Sequence, residues 1–101
     1  MSIYKTARFQ IRSDEVETAK QAVREFVDYI KANEPDTLIY SSVQAADDDT
    51  TFLHFMGFRD AAAEEKHRTS PGVMRFVEVL YPLTVDGVQF TDYVVCATTT
   101  D

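Results

Sequence analysis

The chain is 101 residues long, 45% hydrophobic and 27% charged, with 10 Lys+Arg against 17 Asp+Glu and a formal net charge of −7. At 11.5 kDa, surface scaling predicts about 5,800 Å² exposed when folded against about 16,700 Å² unfolded, so one domain with one core forms without a metal or disulfide staple. The acidic balance argues against generic binding to nucleic acid or to an anionic membrane. Cys96 is the only cysteine, which excludes an internal disulfide and zinc-type cysteine spacing.

The opening MSIYKTARFQIR lacks the apolar stretch and cleavage site of a signal peptide, and no window reaches the length of a membrane span; a soluble, cytoplasmic protein is expected. Ile3 to Arg12 alternates, with Ile3, Ala7, Phe9 and Ile11 on one side, and reads as a strand. Val16, Ala19, Val23, Phe26, Val27 and Ile30 recur at helical spacing, Asp14 stands where an N-cap would with Glu17 three residues on, and Pro35 bars continuation; an amphipathic helix is expected.

Thr37 to Gln44 and Thr50 to Phe58 flank a polar turn, Ala45 to Asp49, and predict an antiparallel hairpin. Its second strand is apolar on both sides, with Phe52, His54, Met56 and Phe58 on one and Leu53, Phe55 and Gly57 on the other. Such a strand needs cover on both faces, most economically a second copy of the sheet. Arg59 to Thr69, with Asp60 as its cap, predicts a second helix; Ser70-Pro71 opens a third, ended by Pro82. Asp86-Gly87 predicts a tight turn into a last strand, Val88 to Thr98, which contains Cys96. The order β-α-β-β-α-α-β predicts a ferredoxin-like α+β fold: a four-stranded antiparallel sheet with helices on one face.

His54, mid-strand among aromatics, reads either as a base kept neutral by burial or, more plainly, as a core histidine with satisfied nitrogens. His67, in the last turn of the second helix, suits the helix dipole, or faces a pocket beside the small Ala63. The two are 13 residues apart and form no metal pair, and Asp47-Asp48-Asp49 lacks the remainder of a calcium loop. Neither a metal nor a nucleophile-based hydrolase is expected. Tyr40, Phe52, Met56, Phe76 and Tyr81 read as core or as the lining of an aromatic cavity in which a tyrosine hydroxyl or Arg75 orients a ligand's oxygens.

The element order, the segment TFLHFMGFRD running into AAAEEKHRTSPGVMRF, and the closing YPLTVDGVQFTDYVV together resemble the antibiotic biosynthesis monooxygenase family. The family signature falls on Phe58 with Asp60, His67, Ser70 and Phe76. The resemblance implies a dimeric α+β barrel, two sheets face to face, and activities that range from cofactor-free oxidation of phenols and quinols by O₂ to haem degradation. The pocket Asn and Trp of members that oxidise polycyclic or haem substrates have no counterpart, since the chain has no Trp and its one Asn, Asn33, lies near the end of the first helix.

The expectation is therefore a cofactor-independent monooxygenase, with His54 or His67 as base, acting on a small phenol- or quinol-type substrate bound by Tyr40, Phe52, Met56, Arg75, Phe76 and Tyr81. The alternative is a non-catalytic, stress-related dimer of the same fold that holds an apolar ligand; haem binding ranks last. The expected partners are a second copy of the chain, through the open sheet face, and that small ligand.

Overall fold

The computed structural model of the chain describes residues 2–100. Strand β1 (Ile3–Ile11) leads through a 3-10 turn, Ser13–Glu15, into helix α1 (Val16–Asn33). Strands β2 (Thr37–Ala45) and β3 (Asp48–Phe58) form the hairpin; helices α2 (Ala61–Arg68) and α3 (Pro71–Leu80) follow, and a second 3-10 turn, Tyr81–Leu83, delivers strand β4 (Thr84–Tyr93). The sheet order is β2-β3-β1-β4, with every neighbouring pair antiparallel. Both connections through helices therefore skip one strand, the ferredoxin-like arrangement that the element order predicts.

Register decides which side chains meet the helices. Phe9 opposes Phe52 and Ala7 opposes His54, and strand side chains alternate, so Ala7, Phe9, Ile11, Phe52, His54, Met56 and Phe58 all face α1, α2 and α3. The apolar stripe of α1, Val16, Ala19, Val23, Phe26 and Ile30, is buried against this face together with Phe76 and Leu80 of α3. Each fully buried aromatic or aliphatic side chain contributes about 1.5–3 kcal/mol of transfer free energy. The caps expected for the shorter helices are present: Asp60 accepts from Ala63 N at 2.9 Å, and Ser70 Oγ accepts from Val73 N at 3.1 Å with Pro71 in the first turn. Gly72 lets α3 approach α1 closely, because a Cβ there would overlap the Tyr29 ring.

Four sequence expectations are corrected. Asp14 makes no capping bond: it lies inside the 3-10 turn, and α1 begins at Val16 without a side-chain cap. The hairpin turn is two residues, Ala46 and Asp47, because Asp48 and Asp49 belong to β3; the Asp48 carboxylate accepts from Thr50 N, Thr50 Oγ1 and Thr51 Oγ1. Asp86 and Gly87 do not precede the last strand but form a bulge within it. Phe9 opposes Val88 while Gln10 opposes Val85, so the two residues are looped out, and both take the left-handed conformation, φ 67° and 77°. Finally, β4 ends at Tyr93, opposite Tyr4 near the start of its only partner β1, so Cys96 lies beyond the strand and is exposed.

The other sheet face carries no helix. Ile39, Val43 and Phe55 stand on it 42%, 50% and 37% exposed, and Tyr4 stacks on Phe55 with ring centroids 5.9 Å apart. The accessible surface, 6563 Å², exceeds the about 5,800 Å² expected of a compact monomer of this mass. No helix among the described residues is long and apolar enough to cross a membrane.

Candidate functional site

Between the helices and the sheet, four polar side chains from four elements meet inside the aromatic core. The end of α1 places the first. Glu34 occupies the C-cap, its N–H donating to Ile30 O at 2.9 Å, and Pro35 turns the chain toward β2. The Glu34 side chain is buried, and its Oε1 accepts from Thr37 Oγ1 and from His67 Nδ1, each at 2.8 Å. His67 reaches it from the last turn of α2, with its ring 5.1 Å from Phe58 and 5.7 Å from Phe26.

The second pair lies deeper. Tyr40 of β2 and His54 of β3 approach with Oη 2.6 Å from Nδ1. His54 is 1% exposed; Phe9 lies edge-on to its ring at 5.0 Å and Phe76 is stacked at 5.9 Å. Burial pushes the imidazole down to about 4, since a low-dielectric site disfavours the charged form. Burial, then the charge of Glu34 and the proximity of Tyr81, hold the Tyr40 phenol well above its ordinary value. Tyr40 therefore keeps its proton and donates it to a neutral His54 at Nδ1, which puts the ring hydrogen on Nε2. That nitrogen is buried with no protein partner among the described residues.

The two pairs touch through their rings, Tyr40 to His67 at 5.6 Å and Tyr40 to His54 at 5.3 Å. Chemically they differ. His67 gives its Nδ1 hydrogen to the Glu34 carboxylate, which fixes the ring and leaves the Nε2 lone pair free, the geometry that orients a general base. His54 has its Nδ1 lone pair engaged by a phenol and its Nε2 protonated, so it takes up a proton only by way of Tyr40.

A groove of about 350 Å³ opens between the last turn of α1 and β2, lined by Ile30, Lys31, Glu34, Thr37, Ile39 and Tyr40 among others. Glu34 and Tyr40 are among its lining residues and neither histidine is; His67 and His54 connect to it through their bonds to these two side chains. A larger hollow of about 740 Å³ lies on the open sheet face, between Tyr4, Leu38, Phe55, Tyr93 and the segment 94–100. No three His, Cys, Asp or Glu side chains among the described residues are grouped to hold a metal ion.

Of the residues singled out from sequence, Tyr40, His54 and His67 come together, and Phe76 packs against His54 and against Phe26, at 4.4 Å. Tyr81 stands 39% exposed in the 3-10 turn after α3. Phe52 and Met56 are packed core rather than cavity lining: Phe52 stacks on Phe9 at 5.3 Å, and Met56 is buried with Ala7, Phe58 and Ala63. Arg75 lies on the solvent side of α3, in a small hollow with Glu25 and Tyr29. Glu34 escaped the sequence reading. Its one local signal is an acidic residue at a helix C-terminus, where the dipole disfavours negative charge and a compensating partner is needed.

The family profile described as antibiotic biosynthesis monooxygenase matches residues 2–79. No functionally curated protein sequence matches the chain. Among solved structures, a candidate antibiotic biosynthesis monooxygenase from Nitrosomonas europaea superposes with a TM-score of 0.86 at 16% identity, over 94% of this chain and 90% of that one. Rv0793 from Mycobacterium tuberculosis superposes at 0.79 with 22% identity, over 99% and 100%. PA3566 from Pseudomonas aeruginosa superposes at 0.84 with 21% identity, over 95% and 95%. At these identities the likeness is one of fold.

Proposed function

This chain belongs to the antibiotic biosynthesis monooxygenase family, and we propose that within it the chain is a cofactor-independent monooxygenase that oxidises a small phenol- or quinol-type substrate with O₂. The observation that carries this reading is the Glu34–His67 pair: a carboxylate 2.8 Å from Nδ1 and an imidazole whose other nitrogen has no hydrogen-bond partner among the described residues. In the proposed reaction His67 Nε2 takes a proton from an acidic ring CH₂ or from the hydroxyl conjugated to it. The resulting anion passes one electron to O₂, and the carbon radical and superoxide combine with that proton into a hydroperoxide. Loss of water then turns CH₂ into C=O, with one oxygen atom in the product and the other in the water. The substrate supplies all four electrons, so no flavin or metal enters the balance.

Tyr40 supplies a second hydrogen-bond donor in this reading: its one hydroxyl hydrogen leaves His54 Nδ1 and turns to the developing oxyanion. Oxygen uptake on a panel of quinols and anthrones is the test. His67→Ala is expected to lower kcat/KM by about 10²–10⁴-fold, the range of a lost general base. Undiminished uptake in His67→Ala removes this base assignment, and absence of uptake across the panel removes the oxidation itself.

The hollow on the open sheet face favours a second reading, a non-catalytic dimer that holds an apolar ligand; it predicts ligand-dependent thermal stabilisation with no product formed. Both readings include a homodimer through the open face, supported by the exposed Ile39, Val43 and Phe55 and by the surface in excess of a compact monomer. Light scattering is expected to give twice the chain mass for the wild type and the single chain mass for Phe55→Glu, since a buried unpaired charge opposes association. A monomeric wild type overturns it.

A further inference from the structure

Two buried side-chain atoms among the described residues have no hydrogen-bond partner, His54 Nε2 and Glu34 Oε2. Both belong to the cluster around Tyr40. Of the five tyrosines, Tyr40 is the one whose hydroxyl has a hydrogen-bond partner among the described residues, and that partner is a base, His54 Nδ1 at 2.6 Å. A phenol that loses an electron becomes a very strong acid, so in a core that excludes water it yields the electron only where a base receives the proton at once. Tyr40 meets this condition, since its oxidised form is acidic enough to protonate even an imidazole that burial holds at about 4.

We propose that Tyr40 and His54 form a reversible one-electron redox site, in which Tyr40 yields an electron to a strong organic oxidant of the peroxyl-radical class while its proton crosses to His54 Nδ1. The O–H bond breaks and an N–H bond forms; the peroxyl radical becomes a peroxide anion, and the pair is left as a neutral phenoxyl radical beside an imidazolium. The orphaned Nε2 explains why the step reverses. Its hydrogen has no acceptor among the described residues, so the proton has no onward path through side chains and returns to Oη when the radical regains an electron. Glu34 explains how the cation is tolerated. Its carboxylate has two donors on Oε1 and none on Oε2, and the charge it retains is felt at Tyr40, where it offsets the imidazolium formed alongside. Tyr40 also lines the 350 Å³ groove between α1 and β2, so an oxidant formed there takes the electron without an opening of the core. The inference goes beyond the oxygenase reading and does not require it.

The test is flash oxidation by tris(bipyridine)ruthenium(III), generated photochemically with persulfate, of a chain in which Tyr40 is the only tyrosine, carrying Tyr4→Phe, Tyr29→Phe, Tyr81→Phe and Tyr93→Phe. None of the four hydroxyls removed has a hydrogen-bond partner among the described residues, so these replacements break no bond. Freeze-quenched samples are expected to show a tyrosyl EPR signal that ascorbate discharges and that carries a ¹⁵N coupling once histidine is labelled. His54→Phe and, separately, Tyr40→Phe in the same background are each expected to lose the signal. No radical in the single-tyrosine chain, a radical without the ¹⁵N coupling, an undiminished signal in a folded His54→Phe chain, or the same signal persisting in Tyr40→Phe each overturns it. The coupling is read with His54 in place, so it decides the matter even where His54→Phe fails to fold. Failure of oxygen uptake, with this radical intact, sinks the oxygenation and leaves the redox site standing.

Discussion

His54 and His67 lie in the same aromatic core, each bonded at Nδ1, and yet they are held in opposite ways. His67 sits at a helix end, partnered by a carboxylate 2.8 Å away that itself lines a groove. His54 sits in mid-strand, 1% exposed, partnered by a phenol 2.6 Å away and otherwise by rings. Burial suppresses the protonated form of the His54 imidazole, and the phenol occupies its Nδ1 lone pair. The difference teaches that position on an element does not define a base: the partner at the second nitrogen does.

The comparison breaks most visibly with acid. His54 is pushed down from 6.5 to about 4, so between these values the unfolded chain binds a proton that the folded chain refuses. The contribution is fully present above about pH 6.5 and is lost as pH falls toward 4, on the order of 3 kcal/mol in all. Urea unfolding at pH 7 and pH 4.5 is expected to show this loss. The double variant Tyr40→Phe/His54→Phe, which removes both polar partners, is expected to show a much shallower loss over the same interval.

Removing only one partner sharpens the contrast further. Tyr40→Phe strips Nδ1 of its donor and leaves His54 with neither nitrogen bonded to protein; a cost of about 1–3 kcal/mol at pH 7 is expected in equilibrium unfolding. The double variant is expected to cost less than this single one, because two apolar rings of similar shape leave nothing unsatisfied. If the double variant is the less stable of the two, the buried pair stabilises the core rather than merely being tolerated in it.

The smallest effect tests whether the mounting of His67 matters. Asp60 caps α2 through Ala63 N at 2.9 Å, and Asp60→Ala is expected to lower stability by about 1 kcal/mol. Ser70→Ala, at the cap of α3, is expected to cost a similar amount. Only the first loosens the helix that carries His67, so under the proposed function Asp60→Ala lowers oxygen uptake more than Ser70→Ala does; equal rates in the two variants separate the cap from the chemistry.

Much of the architecture was legible along the chain because it rests on local periodicity. The alternation in Ile3–Ile11, the helical stripe from Val16 to Ile30, the Asp60 and Ser70 caps and the two-sided apolar strand through Phe55 each reflect neighbours a few residues apart. The failures share a cause. Asp86-Gly87 is a turn signal by composition, but whether left-handed residues end a strand or bulge from it depends on the pairing with Phe9 and Gln10. β4 stops at Tyr93 because β1 begins near Tyr4, which the residues 94–98 do not reveal by themselves.

The candidate site lay still further from the sequence. His54 and His67 were visible as residue types, but Glu34 and Tyr40 acquire their meaning only when the end of α1, the start of β2 and the end of α2 converge, 33 residues apart for Glu34 and His67. Arg75, on the solvent side of α3, takes no part in this convergence. Sequence alone determined the elements and the apolar faces, since backbone propensity and side-chain alternation act over a few residues. Tertiary structure alone decided which nitrogen has a carboxylate behind it and which buried oxygen lacks a donor, because hydrogen bonding and desolvation act on neighbours in space.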